Sequence, residues 1–273
     1  MKITLLGTGS PIPDPNRAGP SSLVSSVSTH VLVDAGRGVV TRLAGAGLFP
    51  AFLSGVLLTH LHSDHISDLN DIITTHWVMS GPGSSLVIYG PPGTSAAVDG
   101  VIAMLDADIS YRLAHHADLN ERPGLRVTEV QPGDEFTIGD LHVRAGATDH
   151  RPVDPSLAFR ISDGSSSVVM AGDGVPCESL DELLLGADAY VQTVIREDLV
   201  KLIPSPRLQD ILDYHSSVEQ AARTASQAQV STLILTHYVP SPPMGGEAEW
   251  AAAAQEIFKG TIVTGPDLTS VEI

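Results

Sequence analysis

The chain has 273 residues, 42% of them hydrophobic, which is enough to bury a substantial core and excludes extensive disorder. Lys and Arg number 15 and Asp and Glu number 32, so the formal charge is −17, and we find no dense basic cluster of the kind that nucleic-acid-binding proteins carry. No apolar run reaches membrane-spanning length and no signal-peptide pattern opens the chain, so we expect a cytoplasmic protein without a membrane partner.

Apolar runs bounded by glycine, proline and serine predict strands, and apolar residues at helical spacing predict helices between them. In chain order the predicted strands are residues 3–6, 23–27, 30–33, 55–58, 86–89, 125–130, 135–138, 141–147, 157–161, 168–170, 189–194, 233–235 and 261–263. The predicted helices are residues 37–47, 66–78, 95–106, 179–185, 218–229 and 247–258. Residues 111–120 are ambiguous, and we expect their His115-His116 pair to be a structural or surface feature because no carboxylate or third imidazole accompanies it. With no linker-like stretch, the pattern predicts a single α/β domain over residues 1–273.

A dense set of metal-ligand side chains follows the predicted strand 55–58. His60, His62, Asp64 and His65 lie within six positions at the end of this apolar run. Neutral imidazoles and carboxylates are the ligands that divalent metals such as zinc prefer. A solvated polar turn with scattered histidines explains this ligand density less well. The sequence therefore predicts a metal site at the strand end.

These residues also carry a family resemblance. The pattern H-x-H-x-D-H after a hydrophobic strand resembles the signature of the metallo-β-lactamase superfamily of binuclear metal hydrolases. The opening residues 1–10 are similar to the first strand and glycine turn of its ribonuclease Z and phosphodiesterase branch. Four further elements fall where that branch keeps its other motifs: Thr148-Asp149-His150, Ala171-Gly172-Asp173, Asp213-Tyr214-His215-Ser216-Ser217 and Leu235-Thr236-His237. The resemblance implies an α/β fold, the four-layer αββα sandwich, with metals at one edge between two facing sheets.

The resemblance also implies a ligand set for two divalent metals, for which we expect zinc, with manganese or iron as alternatives. One metal would be held by His60, His62 and His150, the other by Asp64, His65 and His237, with Asp173 bridging them. Two such metals lower the pKa of a bound water and clamp the attacked and departing oxygens. The alternatives from the residues alone are a turn aspartate at Asp173 and a strand-end histidine at His237.

His215 has a separate expected role. In the ribonuclease Z and phosphodiesterase branch that this sequence resembles, the equivalent histidine is not a metal ligand. It stabilises the transition state or protonates the leaving group, and imidazole can do either near neutral pH. We therefore expect His215, together with Asp64, to take part in catalysis. The alternative is that His215 is merely a neighbour of the helix cap, because Ser216 and Ser217 can cap the helix that begins at residue 218.

Three departures from the ribonuclease Z pattern shape the predicted substrate. Residues 151–172 are too few for the long arm that grips tRNA, Gln192-Thr193-Val194-Ile195 replaces an H-E-A-T segment, and Gly174 follows Asp173 where threonine is usual. With the acidic charge, these departures predict that tRNA is a poor substrate. Together with the element that holds His215, they favour a phosphodiesterase for small or flexible diesters, such as cyclic nucleotides and aryl phosphodiesters. The resemblance also implies a homodimer, since relatives in this branch commonly dimerise. The alternatives are a ribonuclease Z-type tRNA 3′-processing endonuclease, a lactonase or arylsulfatase of the same fold, and a metal-stabilised binding protein without catalysis.

Overall fold

The computed structural model describes all 273 residues and contains two seven-stranded β-sheets that face each other. The strands are β1 (Lys2–Gly7), β2 (Ser21–Ser25), β3 (His30–Val33), β4 (Gly55–Leu57), β5 (Ser85–Gly90), β6 (Gly124–Glu129), β7 (Glu135–Ile138), β8 (Leu141–His150), β9 (Val153–Ser162), β10 (Ser167–Met170), β11 (Ala189–Ile195), β12 (Thr232–Val239), β13 (Thr261–Val263) and β14 (Ser270–Glu272). The helices are α1 (Val39–Gly45), α2 (Ser63–Ile66), α3 (Leu69–Met79), α4 (Thr94–His115), α5 (Glu178–Leu184), α6 (Glu197–Val200), α7 (Pro206–Gln209), α8 (Val218–Ala228) and α9 (Glu247–Gln255). Two short 3₁₀ helices span Pro50–Phe52 and Asp210–Asp213.

Each of the two sheets has a parallel part and an antiparallel part. The first has the order β14-β1-β2-β3-β4-β5-β6 and the second the order β13-β12-β11-β10-β9-β8-β7. In the first sheet β3 to β6 are parallel, and in the second β10 to β13 are parallel, whereas the remaining pairs are antiparallel. Loops that follow the carboxyl ends of parallel strands are the usual place for a site in such sheets. The segment after β4 carries four of the seven predicted ligands, and the loop after β10 carries Asp173.

Three apolar cores hold four layers together. Side chains of both sheets, such as Leu57, Phe159 and Val191, are fully or almost fully buried between them. A second core joins the first sheet to α1, α3 and α4, and a third joins the second sheet to α5, α8 and α9. Helix, sheet, sheet and helix thus form the αββα sandwich, which confirms the predicted fold. None of the helices combines the length and the apolar character needed to cross a bilayer.

Three segments differ from the predicted secondary structure, and tertiary contacts explain the first two. The predicted helix 66–78 is interrupted between α2 and α3, because the Asp68 N–H donates to the Ala35 carbonyl (2.9 Å) and its carboxylate accepts from the Gly38 N–H. Helix α4 continues to His115 because buried Ile109 extends the apolar face of Val98. Residues 197–213, for which no element is predicted, form α6, α7 and a 3₁₀ helix.

Candidate active site

The motif residues are placed by the strand-to-helix turn between β4 and α2. His60 lies at the end of a fully buried stretch and has no exposed surface. The chain then turns at His62, and α2 places Asp64 and His65 on its first turn, where both are buried. Two tertiary hydrogen bonds fix this turn, because the Thr59 N–H donates to Asp34 and the Ala35 N–H donates to the His65 carbonyl (2.8 and 2.7 Å).

The second sheet supplies the other predicted residues. His150 ends β8, Asp173 lies in the turn after β10, and His237 lies within β12 rather than after its end. The turn at Asp173 requires glycine before it: Gly172 has φ of 64°, and a Cβ there would lie 2.8 Å from Cβ of Thr59. The structure therefore brings together residues that are distant in the sequence.

Asp173 is the centre of the arrangement. Its Oδ2 atom lies 3.2–3.8 Å from Nε2 of five imidazoles, those of His60, His65, His150, His215 and His237. Such a position, between the two predicted ligand groups, is what the bridging role requires. The turn-aspartate alternative does not account for five converging rings.

The remaining ligand atoms form two groups on either side of Asp173. In the first, Nδ1 of His62 lies 3.0 Å from Nε2 of His60 and 3.2 Å from Nε2 of His150. In the second, Oδ2 of Asp64 lies 3.3 Å from Nε2 of His237 and 3.6 Å from Nε2 of His65. These are the two groups that the sequence predicts. His215 also lies close to Asp173 and His237, so distance alone does not separate it from the ligands.

Three of the rings are oriented by hydrogen bonds at their outer nitrogens. Nδ1 of His60 contacts the Thr59 hydroxyl (3.0 Å), Nδ1 of His65 contacts the Asp34 carboxylate (2.8 Å), and Nδ1 of His150 contacts the Tyr214 carbonyl (2.9 Å). With protons at Nδ1, the three Nε2 atoms present lone pairs to the centre, as metal-binding histidines do.

The convergence of these atoms fits divalent cations. Nε2 of His65, 3.4 Å from Oδ2 of Asp173 and 3.6 Å from Oδ2 of Asp64, is buried and has no hydrogen-bond partner. Buried nitrogen lone pairs and carboxylate oxygens so close together are costly unless protons or a cation lie between them. The residues therefore fit the metal-dependent chemistry that the motif predicts.

Charge interactions are strong in this buried cluster. Burial favours neutral His65, but the carboxylates of Asp173 and Asp34 outweigh it and raise the pKa of His65 well above its usual range. Burial would likewise raise the pKa of Asp173, but the surrounding imidazoles of His237, His65 and His215 hold it well below its usual range. Asp173 is thus kept as a carboxylate.

A cleft of about 310 Å³ opens onto the cluster. The residues that line it are Ser10, Pro11, Ile12, His62, Ser63, Asp64, Asp173, Leu208, Ile211, Tyr214, His215, His237 and Val239. Substrate that enters this cleft meets Asp64, Asp173 and His215 together. The His115-His116 pair is exposed at the end of α4 and belongs to none of the potential metal-binding groups.

Asp34 is the functional residue that motif reasoning missed. It accepts hydrogen bonds from the N–H and hydroxyl of Thr59 and from His65, and its φ of 63° lies in the left-handed region. A non-glycine residue held there near a site is a signal of functional constraint. The available sequence signal was an aspartate that ends a buried strand, followed by Ala35 and Gly36.

Asp34→Asn should weaken divalent metal binding by roughly 10–100-fold, because loss of the carboxylate that orients a ligating histidine typically costs this much. Asparagine keeps the shape of the side chain and tolerates the left-handed backbone. Calorimetric titration of metal into chelator-treated protein measures the change. Asp188→Asn is the matched control, since Asp188 accepts a hydrogen bond from Ser167 at the opposite end of β10. Equal weakening in both variants would contradict a specific role for Asp34.

Comparison with known proteins identifies relatives of the whole chain. The profile of the "Beta-lactamase superfamily domain" matches residues 29–238. A protein of Mycobacterium bovis named "Ribonuclease Z" is 52% identical, with 100% of this chain and 98% of the relative covered. Two solved structures share the fold: the metallo-β-lactamase fold protein YhfI of Bacillus subtilis (TM-score 0.75, 25% identity, 99% and 98% covered) and the short form of human tRNase Z (TM-score 0.72, 21% identity, 100% and 99% covered).

Two predictions about the substrate are wrong in the light of these relatives. Relatives of about half identity over the full length are named ribonuclease Z, which contradicts the predicted small-diester phosphodiesterase and the prediction that tRNA is a poor substrate. The alignment spans 275 positions, only two more than the 273 residues of this chain, so the short segment 151–172 does not distinguish it from the mycobacterial relative.

The replaced H-E-A-T segment has a structural explanation. Gln192 donates through Nε2 to the Gly172 carbonyl (3.1 Å), and the Thr193 hydroxyl donates to the same carbonyl (2.9 Å). Both side chains therefore support the turn that carries Asp173.

Proposed function

The chain belongs to the β-lactamase superfamily and is a metal-dependent hydrolase, and we propose that it acts as a ribonuclease Z-type endonuclease in tRNA 3′ processing. The observation that carries the proposal is the identity of 52% over the whole chain to a relative named ribonuclease Z, combined with the complete ligand cluster in the cleft. Fold similarity alone would not support it, because one fold hosts many activities.

The proposed site holds two divalent metals, with zinc favoured by the imidazole-rich ligand set. His60, His62 and His150 would bind one metal, Asp64, His65 and His237 the other, and Asp173 both. When bound, such a pair activates water and stabilises the charge on the phosphate that is attacked.

Side chains of the chain itself orient the reaction. His215 lines the cleft, with Nε2 3.2 Å from Asp173 and Nδ1 3.3 Å from the Ile211 carbonyl. A ring held between these two acceptors can carry a proton at Nε2, the nitrogen next to Asp173. We propose that His215 gives this proton to the departing oxygen of the RNA. Asp64 holds His237 in place and also faces the cleft.

An RNA substrate must be accommodated by a chain of charge −17. Eight of the 15 Lys and Arg side chains form ion pairs within 4.0 Å, but Arg37 and Arg207 form none, and both are exposed. Nη2 of Arg37 lies 3.4 Å from the carbonyl of Pro11, a residue of the cleft, and Arg207 precedes the cleft residue Leu208. Neither guanidinium has a carboxylate within 4.0 Å, and we propose that both contact phosphates of the RNA, even though Asp68 lies near Arg37 and Asp210 and Asp213 lie near Tyr214.

Arg37→Ala and Arg207→Ala should each weaken precursor tRNA binding and reduce the slope of log affinity against log salt by about one, because each loses one phosphate contact. Binding measured across a series of salt concentrations gives the slope. Arg223→Ala is the control, since Arg223 is exposed on α8 and also has no acidic partner. An identical slope in wild type and in both rim variants would refute the contact.

The direct test of the function is cleavage of precursor tRNA by the purified chain. We expect one specific cut at the 3′ end, with the rate falling by ~10²–10⁴-fold after metal removal, since a catalytic metal supplies several kcal/mol of transition-state stabilisation. Elemental analysis of the same sample measures the metal content. Random cutting, or no cutting with metal fully bound, would exclude the proposed function. The predicted homodimer, cytoplasmic location and single domain stay predictions.

A further inference from the structure

The segment between β11 and His215 forms a roof over the cleft. This roof, residues 197–214, contains α6, α7 and a 3₁₀ helix and contributes Leu208, Ile211 and Tyr214 to the cleft lining. A small apolar cluster attaches the roof to the body of the protein, where Val200, Ile211 and Leu212 of the roof pack with buried Ile195 and Val239 of β11 and β12. The side chains of Leu208, Ile211 and Tyr214 belong to none of the potential metal-binding groups.

The roof gives the cleft an apolar wall directly beside the catalytic centre. The Tyr214 ring lies 4.8 Å from the His215 ring and 5.4 Å from the His150 ring, measured between centroids. Leu208 and Ile211 belong to the same segment and line the same cleft. An apolar surface that faces a site for phosphate chemistry cannot bind the phosphate itself, because transfer of a charged group to such a surface is costly.

We propose that the wall of Leu208, Ile211 and Tyr214 binds the nucleobase of the nucleotide that carries the departing oxygen. This inference rests on the proposed ribonuclease function. A scissile phosphate at Asp173 and His215 has a base on each side, and unstacked bases are commonly bound on aromatic and apolar side chains. The wall directly precedes His215 in the chain, and Nδ1 of His215 contacts the Ile211 carbonyl. The wall therefore lies next to the departing oxygen that His215 is proposed to protonate.

The chemistry of the wall predicts tolerance of base identity. Leucine and isoleucine side chains offer no hydrogen bonds, and the Tyr214 hydroxyl is the one polar side-chain group of the wall. Stacking uses the faces that all four bases share, whereas discrimination requires donors and acceptors at their edges. The site would therefore require a base at this position without selecting one.

Paired changes in protein and substrate test the proposal. Precursor tRNA is prepared intact and with the base removed from either nucleotide next to the cleavage point, and product end groups identify which nucleotide carries the departing oxygen. For wild type, loss of that base should reduce kcat/KM by about 5- to 100-fold, the range for loss of one stacked base. Leu208→Ala should slow cleavage of the intact precursor. In this variant the same base removal should reduce kcat/KM by a factor at least about threefold smaller than in wild type, because groups in contact are energetically coupled. Leu202→Ala is the matched control: Leu202 lies in the same segment, is 78% exposed and does not line the cleft.

The outcomes separate the subsite from the function. The subsite is supported if base removal lowers kcat/KM less in Leu208→Ala than in wild type and Leu202→Ala. This difference must appear only for the nucleotide with the departing oxygen. Equal penalties in all three proteins, or coupling only to the opposite nucleotide, overturn it while precursor cleavage by wild type still supports the function. Ile211→Ala repeats the comparison if Leu208→Ala does not fold. No cleavage of the intact precursor by metal-loaded wild type overturns both proposals.

Discussion

Asp173→Ala should lose bound metal and lower the rate of precursor cleavage by ~10²–10⁴-fold, the cost of losing a metal contribution of several kcal/mol. The Asp173 Oδ2 atom is the one carboxylate oxygen within 3.8 Å of five imidazole nitrogens, so no neighbouring group can replace it. Alanine removes the negative charge while the imidazoles remain buried around the gap. Elemental analysis and single-turnover cleavage measure the two effects on the same preparation.

Asp149→Ala is the control for this loss. Asp149 precedes the predicted ligand His150, but its carboxylate forms an ion pair with Arg151 (2.8 Å) instead of contacting the cluster. We expect it to retain metal and to cleave at close to the wild-type rate. Full metal content in Asp173→Ala would show that the carboxylate is not a shared ligand.

His215→Ala should slow cleavage of the normal phosphodiester by about 10²–10⁴-fold, the usual contribution of general acid catalysis. The effect should nearly vanish on a precursor in which sulfur replaces the departing oxygen. A thiolate is a far weaker base than an alkoxide and departs without a proton. Single-turnover rates on both precursors, with metal content measured in parallel, test the role.

The same experiment separates three roles for His215. Equal slowing on both precursors with metals retained would indicate electrostatic stabilisation of the transition state instead of proton transfer. Loss of metal would make His215 a ligand, which its place near Asp173 and His237 also permits on distance. Near-normal rates would leave only a structural role beside the Ser217 cap, whose hydroxyl accepts from the Gln220 N–H (3.2 Å).

The overall charge was a poor guide to the substrate. The net value of −17 counts every Asp and Glu, including Asp173 and Asp64, which lie among the imidazoles of the cluster. It also hides Arg37 and Arg207, which are exposed near the cleft and form no ion pair within 4.0 Å. Attraction of an RNA depends on charges within about one Debye length, roughly 8–10 Å, of its phosphates. Only the folded chain shows where those charges lie.

By itself, the sequence determined the fold and the candidate ligands. Ligand-type residues at strand ends form a recognisable local pattern, because a buried strand requires an apolar sequence and a run of histidines and aspartates directly after it stands out. The local pattern by itself predicted an α/β domain with a metal site after β4, and the motifs' resemblance to a family implied the αββα sandwich, the two groups and the position of Asp173 between them.

The tertiary structure alone decided which residues support the site and which surround the substrate. Asp34 orients His65 across 31 positions of sequence, a contact that no local pattern encodes. Pro204 and Pro206 divide the roof of residues 197–214 into pieces too short to predict as helices, and packing against Ile195 and Val239 holds these pieces in place. His237 has a left-handed φ of 54° inside β12, a conformation that no local pattern predicts. Contacts made only after folding thus determine the supporting residues and the shape of the cleft, whereas local patterns indicate the candidate ligands.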